Sequence, residues 1–226
     1  PDHSALWTDK EEKVVFGHNR LAIIDLSTKA NQPMVSSDGR YVIVLNGEIY
    51  NFEFLKLKLQ KEGFVFKTSS DTEVLLILYS KFGKKMLKKI RGMFAFAIWD
   101  KVKKEVFFAR DPYGIKPLYI AEINGGYLFA SQVKALLKTK LVQHKVNLDG
   151  QLSYWLFGSV QEPYTWFSDI KCLKSGSYCI ISKSKGIKIK QYENISNNWQ
   201  TTSTDKLDKK QVTQTIKHEV SNSIKN

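Results

Sequence analysis

The sequence predicts an α+β fold of two stacked, mainly antiparallel sheets with helices on the outside. Two patterns and the composition predict it. Apolar residues alternate with period two in paired runs at 93–110, 117–130 and 177–190, each pair separated by a short turn. Apolar residues recur at helical spacing at 52–59 and 71–82. A hydrophobic share of 42% with 12% aromatics can fill a substantial core in a chain of 226 residues.

Taken in order, residues 13–17 read as a strand running into His18-Asn19-Arg20, with 21–24 continuing it and 25–27 closing it. Arg20 interrupts an apolar run, which is costly unless its guanidinium meets an anion. That anion is either a structural carboxylate or a ligand's carboxylate held by the guanidinium fork. Residues 28–39 carry loop chemistry in Asn31, Pro33 and Ser36-Ser37-Asp38-Gly39. Residues 41–45, YVIVL, read as a strand buried on both faces. Phe52, Leu55 and Leu59 give the following helix its apolar stripe, ending near Gly63.

Asn46-Gly47 therefore lies where a core strand turns into a helix. Such a pair accepts positive φ cheaply and reads first as a turn. Alternatively, a side-chain amide and a glycine N–H delivered to one spot make an oxyanion hole. Beyond it, 64–66 reads as a short strand, and Ser70 with Glu73 has the spacing of a capping box for a helix faced by Val74, Leu75, Leu78 and Phe82. Asp71 then sits in a first turn, favoured by the helix dipole, or receives a ligand ammonium. A short basic helix at 84–90 precedes the hairpins; Ser131 caps a short helix holding Ala135, Leu136 and Leu137, and 152–157 reads as another. Residues 194–211 have linker composition, and Val212, Ile216, Val220 and Ile224 give a helical stripe that reads as the first element of a second domain.

The charge balance excludes little by itself. A net charge of +13 raises nucleic acid, but the bases are 31 Lys and 4 Arg spread along the chain, without an Arg cluster or a nucleic-acid motif. No nucleic-acid partner is expected. No apolar run reaches the length of a membrane span and residues 1–30 lack a signal pattern, so no membrane partner is expected and the cytoplasm is the default compartment. Cys172 and Cys179 give no disulfide framework and read as buried structural thiols.

The series GHNRLAIIDLS (17–27), NQPM (31–34), NGEIYN (46–51), SSDTEV (69–74), RGMFAFAIWD (91–100) and ARDPYGIKPLY (109–119) resembles the glutaminase domain of glutamine-hydrolysing asparagine synthetases. The resemblance covers residues 1–193 in the family's order and spacing. It implies a four-layer αββα sandwich of the N-terminal-nucleophile hydrolase type. It also implies a reaction: glutamine gives glutamate and ammonia, and a second domain uses ATP and Mg²⁺ to amidate aspartate. By matching position, Arg20 would hold the glutamine α-carboxylate, and Asp71 and Glu48 its α-ammonium. Asn46 and Gly47 would form the oxyanion hole, and Leu21, Ile23 and Ile24 would line the pocket. No cofactor is implied for this domain, and a homodimer is compatible with the resemblance.

The departures are as specific. The family's nucleophile is an N-terminal Cys, and the chain begins at Pro1, matching a later part of the family's sequence. The expectation is a fragment, with 1–193 the glutaminase domain lacking its N-terminal strand, 194–211 a linker and 212–226 the start of a synthetase domain. Such a fragment holds binding residues without a nucleophile and is expected to be inactive alone. Gln132 stands where the family has Glu. Two other readings stay open: the glutaminase domain of an amidotransferase acting on a sugar or polysaccharide precursor, and a non-catalytic ligand-binding relative.

Overall fold

The structure is a computed structural model and describes residues 1–200 and 208–225. Contacts divide it into residues 1–193 and 194–226. In the first unit the strands are β1 (His3–Asp9), β2 (Val14–Arg20), β3 (Met34–Val35), β4 (Tyr41–Ile49), β5 (Gly92–Asp100), β6 (Glu105–Arg110), β7 (Tyr119–Ile123), β8 (Gly126–Ala130), β9 (Ile170–Cys172), β10 (Ser177–Ser182) and β11 (Gly186–Gln191). Its helices are α1 (Phe52–Lys61), α2 (Asp71–Phe82), α3 (Val133–Lys138) and α4 (Leu148–Phe157). The main sheet has the order β11-β10-β6-β5-β4-β3; β8-β7-β9 form a second sheet and β1-β2 a separate hairpin. All pairings are antiparallel.

Strand alternation builds the layers. Odd residues of β4, Tyr41, Ile43 and Leu45, pack with Leu55 and Leu59 of α1 and Leu75 and Leu78 of α2. Even residues Val42 and Val44 pack on the other face, with Phe16 of β2 and Leu118 and Ile120 at β7. The far side of β7 is covered by Leu136 of α3. Helices, main sheet, smaller sheets and helix thus stack as four layers, with each buried Phe or Leu worth about 1.5–3 kcal/mol. Along β4 the even face turns from Val42 and Val44 to Asn46 and Glu48, so the inter-sheet core becomes polar toward the end of the strand.

Several local expectations are corrected. Residues 21–24 leave the strand at Arg20 and run as an irregular loop with Leu21 and Ile23 exposed, because β2 is bounded by its pairing with β1. β1 itself gives little sequence signal, since its side chains alternate only between half-buried and exposed. Asn46 and Gly47 lie within β4, opposite Ala95 and Phe94, and not in a turn. Gly47 is glycine for a different reason: its φ is +141°, and a Cβ there would meet the Met93 carbonyl oxygen at 2.0 Å. Residues 64–66 pair with no strand, and Val65 is 83% exposed.

Caps differ too. Ser70 caps α2 by accepting the Thr72 N–H at 3.1 Å, but Glu73 does not close a box onto it. Glu73 instead accepts the N–H groups of Lys67 and Thr68. The basic segment is a 3-10 helix at Gly83–Lys88. Ser131 does not cap α3, whose N-cap is Gln132 without a side-chain bond. Asn147 caps α4, which starts earlier than the apolar run suggests because its first turn is Leu148-Asp149-Gly150.

In the second unit α5 (Ile195–Gln200) occupies part of the stretch with linker composition, while 201–207 lie outside the described residues. α6 spans Lys209–Lys225, with Ile216, Val220 and Ile224 all more than half exposed.

Candidate active site

One cavity of about 280 Å³ gathers every candidate residue: Arg20, Leu21, Ile23 and Ile24, then Asn46, Gly47 and Glu48 of β4, and Asp71 of α2. Arg20 and Asp71, 51 positions apart in sequence, meet there because β2, β4 and α2 converge at one end of the main sheet.

Arg20 ends β2 with its guanidinium buried beneath the loop that follows. Nη1 donates to the Ser27 carbonyl at 3.0 Å and to Asn31 Oδ1 at 2.9 Å, and Nη2 donates to the Asp25 carbonyl. All these partners are neutral, and no described carboxylate forms an ion pair with it. The Asp25 carboxylate is engaged elsewhere, accepting the N–H groups of Ser27 and Ser69 at 2.8 Å. Hydrogen bonds from Ser27 and Ser69 hold it below the usual carboxylate range. The loop is therefore pinned while the Arg20 guanidinium has no described carboxylate within ion-pair distance.

Asp71 is the converse case. It is 5% exposed, accepts the Ile49 N–H at 3.0 Å and faces no cation within ion-pair distance among the described residues. Burial pushes its carboxyl up, with the Glu48 charge adding to the rise and hydrogen bonds opposing it. Asn46 donates from Nδ2 to Ser131 Oγ at 3.2 Å, so the hydroxyl expected to cap a helix instead orients the amide.

Further residues line the cavity, Thr72 beside Asp71 among them. His18 donates from Nε2 to the Leu45 carbonyl at 3.1 Å; burial pushes its pKa down, which favours the neutral ring. Gln32 is buried and accepts the Leu45 N–H at 2.6 Å. Lys116 is placed by its own backbone, its N–H donating to Asp111 at 3.0 Å and its carbonyl accepting from Arg110 Nε at 2.7 Å. Neither Cys172 nor Cys179 lines the cavity. Both are buried, and burial pushes the Cys179 thiol up to about 12.

Residues 1–193 match the family of the glutamine amidotransferase domain. The chain belongs to that family. Among its relatives, asparagine synthetase [glutamine-hydrolyzing] 1 of Bacillus subtilis is 39% identical over 209 residues, covering 92% of this chain and 32% of the relative. Asparagine synthetase [glutamine-hydrolyzing] 3 of the same organism is 35% identical over 208 residues, covering 91% and 33%. Among solved structures, the glutamine phosphoribosylpyrophosphate amidotransferase of B. subtilis, complexed with ADP and GMP, superposes with a TM-score of 0.56 at 25% identity. It covers 79% of this chain and 35% of that one. The amidotransferase chain thus spans about a third of the curated relatives it matches. Among the described residues no helix is long and apolar enough to cross a membrane.

Proposed function

We propose that the cavity binds glutamine and that the whole protein is a glutamine-hydrolysing asparagine synthetase. One observation carries the binding reading: a buried guanidinium without a carboxylate and a buried carboxylate without a cation share one small cavity. A neutral zwitterion is the ligand that compensates both. Arg20 takes the α-carboxylate, Asp71 and Glu48 take the α-ammonium, and Leu21, Ile23 and Ile24 wall the methylenes.

The γ-amide then lies toward Asn46 and Gly47. When a thiolate adds to its carbonyl, charge develops on the oxygen, and the Asn46 side-chain N–H with the Gly47 backbone N–H stabilises it. The attacking thiolate is not one of the two cysteines described, which stand outside the cavity. The family's reaction places it on an N-terminal Cys, whose thioester with the γ-acyl group is hydrolysed after ammonia leaves. In the whole protein that ammonia goes to an ATP- and Mg²⁺-dependent amidation of aspartate in the cytoplasm.

Calorimetric titration tests the binding step. Glutamine should bind this chain, and Arg20→Ala and Asp71→Asn should each weaken it at least about tenfold. No binding to the wild-type chain would overturn the reading.

A further inference from the structure

Buried polar groups form one continuous hydrogen-bonded chain around the part of β4 that carries Asn46 and Gly47. The Leu45 N–H donates to Gln32 Oε1 at 2.6 Å, and Gln32 Nε2 donates to Thr72 Oγ1 at 3.3 Å. The Thr72 hydroxyl donates to Asp71 Oδ1 at 3.3 Å, and Asp71 Oδ2 accepts the Ile49 N–H at 3.0 Å. Its two ends are backbone N–H groups that flank residues 46–48.

The directions are forced. A backbone N–H can only donate, so the Gln32 oxygen faces Leu45 and its NH₂ faces Thr72. The Thr72 hydroxyl accepts from that amide and gives its one proton to Asp71. Such a chain has a reason to exist at this edge. β3 is only two residues long and pairs opposite Ile43 and Val42, so from Val44 onward the edge of β4 facing away from β5 has no strand beside it. The N–H groups of 45, 47 and 49 share one edge by the period of the strand. Side chains take those of 45 and 49, and the chain passes over that of Gly47. Gln32, Thr72 and Asp71 are 7%, 2% and 5% exposed, and polar groups so buried are costly unless bonded.

We propose that Gln32 and Thr72 are positioning residues of the glutamine site. They aim the Asp71 carboxylate at the ligand's ammonium and fix its distance from Asn46 and Gly47. This rests on the glutamine reading and assigns it two cavity-lining residues that act on the ligand through Asp71 and Leu45.

The test is the preference of the chain for glutamine over 4-carbamoylbutanoate, which lacks only the α-ammonium. Thr72→Val keeps the shape and removes the hydroxyl; it should cut the preference about tenfold. Thr72→Ser should retain most of it. A purely structural loss would weaken both ligands alike and leave the ratio unchanged. Should Thr72→Val fail to fold, Gln32→Met breaks the chain at its other end and should lower the same ratio. An unchanged ratio in a folded variant overturns the positioning role while leaving the glutamine site standing. Wild-type binding of neither ligand overturns both.

Discussion

The Asp71 carboxylate accepts the backbone N–H of Ile49, so the first turn of α2 and the end of β4 are one hydrogen-bonded unit at 3.0 Å. The contact holds a buried charge in place without neutralising it, which is an arrangement that favours a ligand over stability.

Asp71→Asn should therefore separate the two. Its pKa is raised in the folded state, so the folded protein keeps the proton where the unfolded chain has lost it. The stability contributed by the neutral carboxyl is lost as pH rises from the ordinary carboxylate range through the raised value. Asn carries no charge and retains an acceptor for Ile49. At pH 7 the variant is expected to gain about 0.5–2 kcal/mol by urea unfolding, with the gain shrinking toward pH 4, while glutamine affinity falls. A variant less stable than wild type at pH 7 would contradict the uncompensated charge.

Arg20→Lys should fail to replace arginine. One ammonium cannot reproduce the three separate contacts to Asp25, Ser27 and Asn31 while presenting charge to a ligand. A stability loss of about 1–3 kcal/mol is expected, together with a drop in affinity about as large as for Arg20→Ala. Equal affinity in Arg20→Lys would show that only the charge matters.

Gly47→Ala should be among the most damaging single changes. The Met93 carbonyl and the Phe94 Cα lie within 2.8 Å of the added carbon, both on backbone. A loss above about 4 kcal/mol or failure to fold is expected. Gly125→Ala, with nothing within 4 Å of the new carbon, should cost only about 1 kcal/mol through its positive φ. Thermal melts of the pair check the contrast.

The two thiols should be silent. Burial pushes both up, and Arg110 Nη1 lies 3.1 Å from Cys172 Sγ. At pH 8 neither should react with iodoacetamide in the folded chain within the time that alkylates both in urea, as read by mass spectrometry. Cys179→Ala should leave glutamine binding unchanged.

The sequence made the hairpins readable because β5 with β6, and β7 with β8, are apolar runs paired in register across a short turn. It misled where apolar residues serve a loop: Leu21 and Ile23 look like strand residues but project from a loop pinned through Arg20. The Asn-Gly pair drew a turn reading because the close approach of β4 to β5 leaves no local trace. Arg20 stood out as a charge interrupting an apolar run, whereas Asp71 reads locally as an acid in a helix's first turn and is assigned to a ligand only by the resemblance. Gln32, Thr72 and Ser131 did not stand out, since a buried polar side chain satisfied by a distant partner has no spacing signature. A Gln-Pro pair beside a core strand was the one weak clue.

The β1-β2 hairpin carries Arg20 and His18 yet, among the described residues, pairs with no other strand. It can open without breaking the ladder of the six-stranded sheet, so its amides should exchange with deuterium well before those of β5 and β6. A ligand held by Arg20 would close that opening. Glutamine should then slow exchange in β2 and the 21–27 loop while leaving the central strands unchanged, and occupancy would be written in the exchange kinetics of that hairpin.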